Sequence, residues 1–282
     1  MDHFLFHAVR RPGLAAGLMA CGCIAVLTAC GDDITNNYTL EPPTFTPNPI
    51  VTHADLQAAL TTALSSTNGG LDFPMWATVV DRAGVVVAVV ASGAAVNDQW
   101  LGSRAISAQK ANAANSFSLD GFALSTANLY SAVQPGGSLY GLQASNPVST
   151  DVVYGGDESK YGTVDDYMVG KKPGGINVFG GGLALYNSSG VVIGAVGLSG
   201  DTSCADHNIA WRVRDALGMD YVIAGVGSSA VGANPPGKDN IIYDITDGAS
   251  ASGFGHPTCL NATADSTMGT NLPTTYPLSA LP

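Results

Sequence analysis

The sequence predicts an α+β domain in which helices cover an antiparallel sheet. Two stretches rich in β-branched residues each fold back through a turn signal, and each is followed by a helical pattern. A further helical pattern precedes the first of them, so helix, hairpin, helix, hairpin and helix alternate along the chain. With 282 residues, 46% hydrophobic and 12% charged, the chain can bury one sizeable core.

Residues 1–29 read as a secretory leader. Arg10 and Arg11 precede an apolar run from Leu14 to Ala29, too short for a membrane span of about 20 residues. Leu27-Thr28-Ala29-Cys30 resembles a bacterial lipobox. That resemblance implies cleavage before Cys30, a lipid on its thiol, and anchoring in the cell envelope. Gly31 is compatible with outer-membrane sorting. The alternative is ordinary leader cleavage nearby. Residues 30–51 are polar and proline-rich and are expected to be a lipidated tether.

Thr52 reads as an N-cap for a helix carrying Leu56, Leu60, Ala63 and Leu64, stopped before Asn68-Gly69-Gly70. Met75–Val80 and Val85–Ala91 flank Asp81-Arg82-Ala83-Gly84 as a hairpin. A helix from about Ser103 to Phe117 follows, and its alanines permit close packing on a sheet. A third amphipathic piece is expected over Thr126–Val133. Residues 134–175 carry three Gly-Gly pairs and read as a long loop with little regular structure. Leu183–Tyr186 and Val191–Leu198 form the second hairpin around Asn187-Ser188-Ser189-Gly190. A helix near Ala205–Leu217 follows, with Arg212 and Arg214 toward its C-terminal end. Beyond Ser228 the chain reads as loop-rich, with one strand at Asn240–Ile245.

The formal charge is -11, with only 11 Lys+Arg, so the basic face that nucleic acid requires is missing. Cys21 and Cys23 leave with the leader and Cys30 takes the lipid. Cys204 and Cys259 remain, an even pair in an oxidising compartment, and are expected to form a disulfide. Two buried free thiols are the alternative.

Three stretches resemble the GlcG/HbpS-like haem-binding family: "VVDRAGVVVAVVASG", "AISAQKANAANSF" and "FGGGLALYNSSGVVIGAVGLSGDTSCADHNIAW". The resemblance implies a profilin-like α/β/α sandwich around a five-stranded antiparallel sheet, homo-oligomers, and non-covalent binding of haem or another tetrapyrrole. The matching domain runs over residues 52–224, with residues 225–282 as an extension clipped to it. The lipoprotein leader, the 134–175 loop and this extension depart from the family pattern.

The candidate ligand-binding residues are His207, Asp206, Lys110, His256, Ser199 and Gly200. Haem iron takes His, Met, Cys or Tyr, and without the leader only His53, His207 and His256 remain. His207 follows Cys204 by three residues and His256 precedes Cys259 by three, so a disulfide would bring the imidazoles into one neighbourhood. His207, or His256, is the candidate ligand to iron or a divalent metal, with Asp206 beside it and Lys110 pairing a propionate. The competing reading is structural: Ser203 or Asp206 caps a helix, His207 is exposed, and Lys110 snorkels at a helix edge. His53 reads as a solvated surface residue, and Asp165-Asp166 as loop charges without a partner. Ser199 is followed by Gly200-Asp201, so the serine elbow Gly-x-Ser-x-Gly is not formed.

The sequence therefore points to a non-catalytic envelope lipoprotein that binds haem or a related small molecule. An oligomeric accessory protein without ligand and a metal-assisted enzyme using His207, His256 and Asp206 stay open.

Overall fold

The computed structural model describes residues 41–228 and 237–282. The leader and Cys30 lie outside the described residues. Among these residues no helix is long and apolar enough to cross a membrane.

Helix α1, His53–Leu64, begins with a reciprocal cap. Thr52 Oγ1 accepts from Asp55 N at 3.1 Å, and Thr52 N donates to Asp55 Oδ2 at 3.3 Å. Its buried stripe is Leu56, Ala59, Leu60 and Ala63. Strands β1, Trp76–Asp81, and β2, Val86–Ala91, form the first hairpin. Gly84 takes the turn at φ +77, and Asp81 Oδ1 accepts from Val85 N at 3.0 Å. Helix α2 spans Gly102–Phe117, and residues 126–133 form two short 3-10 turns rather than an amphipathic helix. Short helices α3, Leu142–Ser145, and α4, Thr150–Val153, interrupt the long loop. Strands β3, Gly182–Tyr186, and β4, Val192–Ser199, make the second hairpin. Helix α5, Ser203–Ala216, leaves it.

The antiparallel sheet has the order β2-β1-β4-β3. Alternate residues of β1 serve opposite faces. Ala77 and Val79 join Leu56, Leu60, Ile209 and Trp211 in the core beneath α1 and α5. Trp76 and Val80 join Ala105, Ala108 and Ala111 beneath α2. Three layers result, with α1 and α5 on one face and α2 on the other. The alanines of α2 work as expected, and Gly197 of β4 answers them. A Cβ there would collide with the backbone carbonyl of Ser107.

Several elements differ from expectation. The described sheet has four strands rather than five. At the free edge of β3, Tyr186 N donates to Met219 O at 2.8 Å, but Val222 N then bonds Asp220 O at 2.7 Å. That tight turn takes the chain off the edge after one bridge. The expected strand at Asn240–Ile245 shrinks to β5, Ile245–Thr246, paired with β6, Ala249–Ser250. Residues 240–242 bond side chains and single carbonyls instead: Ile241 N donates to Asn240 Oδ1, and His256 N to Ile242 O. The extension holds a helix, α6, Ala262–Thr275, whose Leu272 enters the core beneath α1 and α5. Of the expected tether, residues 41–50 lie against the domain. Phe45 N donates to Gly170 O at 2.6 Å, Asn48 N donates to Asp81 Oδ2 at 2.9 Å, and Ile50 packs on the core.

The long loop is held by charge. Asp166 is buried and grips Arg104 of α2 in a two-pronged ion pair at 2.5 and 3.0 Å, so it is not the solvated loop carboxylate the sequence suggested. His53 is half-buried, with Nε2 2.9 Å from Gly162 O, and ties α1 to the same loop.

Replacing Gly197 by valine is expected to destabilise the fold by at least about 1–3 kcal/mol, because the collision is with helix backbone rather than a movable side chain. Urea unfolding measures this, and a neutral substitution would show that α2 does not press on β4 as described.

Candidate functional site

The corner between β4 and α5 carries the buried pair that the sequence had split into separate candidates. Lys110 Nζ lies 2.6 Å from Asp206 Oδ2 and 3.1 Å from Leu198 O. Both side chains are almost wholly buried. Asp206 Oδ1 accepts from Asp201 N at 2.9 Å. Burial raises the Asp206 carboxyl to about 6 even with the ammonium beside it. Gly181, at φ +121, leaves the room: a Cβ there would meet Leu198 O and come 3.1 Å from Lys110 Nζ. Lys110 is therefore neither snorkelling nor free for a propionate.

Asp201, which stands where a serine elbow would carry glycine, organises the next segment. Its carboxylate accepts from Leu71 N at 2.9 and 2.8 Å and from Phe73 N at 3.2 Å. Phe73 meets Trp100 edge-on with centroids 5.2 Å apart. Trp100 is 54% exposed and Phe179 44% exposed. Both line a cavity of about 250 Å³ whose other walls include Ser103, Ser199, Ser203, Lys110 and Asp206. A larger cavity of about 510 Å³ lies on the other side of Asp201, between the 61–74 segment and Ile209. It is wider but lacks the ion pair and the Trp100–Phe179 walls, so the chemistry concentrates in the smaller one. Gly200 does not line the smaller cavity. It admits Pro74 O, which a Cβ would strike at 2.6 Å.

The helix cap is Thr202, whose Oγ1 accepts from Ala205 N at 3.2 Å, rather than Ser203 or Asp206. His207 is fully buried, not exposed. Asn240 Nδ2 donates to Gly269 O at 2.7 Å, which aims Asn240 Oδ1 at His207 Nε2, 3.0 Å away. Among the described residues the His207 Nδ1 has no partner. His256 is also buried, with Nδ1 donating to Pro257 O at 2.7 Å and Nε2 accepting from Gly180 N at 3.4 Å. Neither imidazole lines the cavity beside Lys110 and Asp206. Burial lowers each to about 4, because the charged imidazolium would lose its water.

The expected disulfide is present: Cys204 and Cys259 are joined, with Cα atoms 6.1 Å apart. It sets the tail behind the cavity wall. His256 packs against Tyr130 at 5.2 Å between centroids, and Tyr130 against Phe179 at 6.1 Å. Trp100, Phe179 and Asn240 were missed from sequence. Their roles come from exposure or from a distant partner, which no local pattern carries.

A family model described as haem degrading protein HbpS-like matches residues 51–214. No curated protein matches the chain. Among solved structures, Klebsiella pneumoniae protein ORFY of the DUF336 family is 28% identical, with a TM-score of 0.40, covering 59% of this chain and 90% of that one. PduOC, solved in complex with heme, is 24% identical, with a TM-score of 0.40, covering 58% and 89%.

Two outcomes are expected. Lys110→Met strands a buried carboxylate and should cost about 3–5 kcal/mol in urea unfolding, while adding Asp206→Leu should recover much of it. Stability should fall between pH 6.5 and about 4. Two histidines refuse protons that the unfolded chain accepts at about 6.5, and this outweighs the opposite contributions of Asp206, which takes up a proton near 6, and of Asp215, whose carboxyl burial also raises. A melting temperature that rises over that interval contradicts the buried imidazoles.

Proposed function

The chain belongs to the HbpS-like family, and from that premise we propose that its domain binds haem or a related flat small molecule without catalysis, at the cleft between α2 and the β4–α5 corner. The observation that carries this reading is the pair of exposed aromatic rings, Trp100 and Phe179, on the walls of one cavity. Aromatic faces hold a flat macrocycle by stacking. The hydroxyls of Ser103, Ser199 and Ser203 supply polar contacts at its edge. At about 250 Å³ the cavity accepts part of a macrocycle rather than engulfing it.

The donor set decides the manner of binding. Among the described residues no His, Met, Cys or Tyr lines this cavity, so the side chains there fit the face and edge of a tetrapyrrole and not its iron. His207 Nε2 is engaged by Asn240, its Nδ1 is buried and does not line this cavity, and the buried His256 does not line it either, so neither imidazole reaches a ligand held there without moving. Lys110 is already neutralised by Asp206, so propionates would face solvent. Degradation, named in the family's description, needs a reductant and oxygen, and gives a distinct readout.

Hemin added to the exported form should produce a saturable Soret shift. Trp100→Ala and Phe179→Ala should each weaken binding roughly 3- to 10-fold, and His207→Gln should leave the band position unchanged. A band position moved by His207→Gln alone returns the iron to that imidazole and defeats stacking. No saturable shift favours the accessory-protein reading. Loss of the band with ascorbate under air, absent without protein, makes the protein an enzyme.

The anchoring reading rests on the Leu27-Thr28-Ala29-Cys30 resemblance. The chain is exported, lipidated at Cys30 and held in the bacterial envelope, in the outer membrane, where it forms homo-oligomers like the family it belongs to. Cys30→Ser should move it from the detergent phase to the aqueous phase in cell fractionation. Unchanged partitioning rejects the lipid.

A further inference from the structure

Behind the Phe179 wall, three metal-ligating side chains converge that the binding reading does not use. The sulfurs of Cys204 and Cys259 and one ring nitrogen of His256 all lie within 4.8 Å of one another. In the structure the sulfurs are joined. We propose that the reduced protein is a site for a thiophilic cation of the zinc class, held by Cys204, Cys259 and His256.

The surroundings favour thiolates. Cys204 is the second residue of α5, and its backbone N lies 3.2 Å from Cys259 Sγ. Ser203 Oγ lies 3.5 Å from the same sulfur. A helix N-terminus and two donors stabilise negative charge on that atom. The imidazole is steadied as metal-ligating rings are: the Pro257 carbonyl sits 2.7 Å from His256 Nδ1 and 3.6 Å from Cys204 Sγ, and a cation on Nε2 replaces only that atom's long, 3.4 Å contact with Gly180 N. Asp265 Oδ2 accepts from Cys259 N at 2.7 Å and keeps that residue in place whichever state the sulfurs are in. Two thiolates and an imidazole are a set that zinc and related soft ions take, with a fourth position left for water. Cys204 and His256 are buried, while Cys259 is half-buried and gives access.

The chemistry balances with a dithiol reductant. Its thiolate attacks the Cys259 sulfur, the bond to Cys204 breaks, and Cys204 leaves as a thiolate that takes a proton. The second reductant thiol then releases Cys259, so the reductant departs as its own disulfide and the protein gains two electrons and two protons. A divalent cation entering between the sulfurs displaces both thiol protons to solvent. Reoxidation to the disulfide removes both thiolate ligands and expels the cation.

The test uses the full exported chain with Zn2+ and Co2+ as probes. After reduction and desalting, the protein should take up one equivalent of Zn2+ against a chromophoric chelator, and the oxidised protein should take up none at this site. Co2+ added to the reduced protein should give a thiolate-to-metal charge-transfer band that is absent before reduction. His256→Ala should weaken Zn2+ binding about 10-fold or more, and Zn2+ should raise the melting temperature of the reduced wild type. The Co2+ band requires no variant, so a destabilised mutant does not blunt the test. Reduced wild type that shows no such band, or that retains no more zinc than a Cys204→Ser/Cys259→Ser double variant, overturns the site.

Discussion

The Lys110–Asp206 pair is the constraint around which this molecule is arranged. Lys110 belongs to the helix on one face of the sheet and Asp206 to a helix on the other. Their contact passes the end of β4, where Leu198 O accepts a second hydrogen bond from the ammonium. Two charges buried this deeply are costly apart and tolerable only together, with their remaining hydrogen-bonding capacity filled. The glycines at 180–182 follow from that, since any side chain there would collide with Ser203, Leu198 or Lys110 backbone. A glycine run beside a hairpin thus serves a crossing of the protein's own layers, and no phosphate or cofactor backbone contact is needed to explain it.

The same pair sets the electrical character of the cleft. Its ammonium is cancelled by Asp206, and Asp201 adds a carboxylate that is occupied by backbone N–H groups. A ligand entering here meets aromatic surface and hydroxyls but no uncommitted cation. The chain's charge of -11 works in the same direction, opposing an anionic ligand at long range. On the proposed reading, affinity for a tetrapyrrole would therefore come from ring contact, with its acidic groups on the solvent side. On that reading the exposed Trp100 and Phe179 matter more than any titratable group in the corner.

The two hairpins and the three long helices before residue 220 were legible because their signals are local. Thr52 and Asp55 form a reciprocal cap visible in four residues, and the strands are β-branched runs around turn residues. The cysteine pair was legible by elimination. Helix α6 was not, because its residues include Gly269, Pro273 and a surplus of threonine, all weak helix formers. It stands through its Asn261 cap and through Leu272 in the core. His207 shows the deeper limit. A buried histidine and an exposed one have the same near neighbours in sequence, and the residue that settles the matter, Asn240, lies 33 positions away.

The C-terminal extension is better understood as a necessity of α5 than as an addition to the domain. It lies beyond the matched span 51–214, yet it supplies the polar partners of α5's inner face. Arg214 is wholly buried and its guanidinium is met by Asp239 at 2.5 and 2.9 Å. Trp211 Nε1 donates to Tyr276 O at 3.0 Å, and His207 leans on Asn240. With the tail removed, Arg214 would lose its carboxylate and keep only Ala184 O, while an indole N–H and an imidazole on the same helix face would lose their protein partners. A crosslink from the first turn of that helix to Cys259 closes the same surface covalently. The tail's polar residues and the unusually polar inner face of α5 are therefore two halves of one buried interface, and neither sequence makes physical sense without the other.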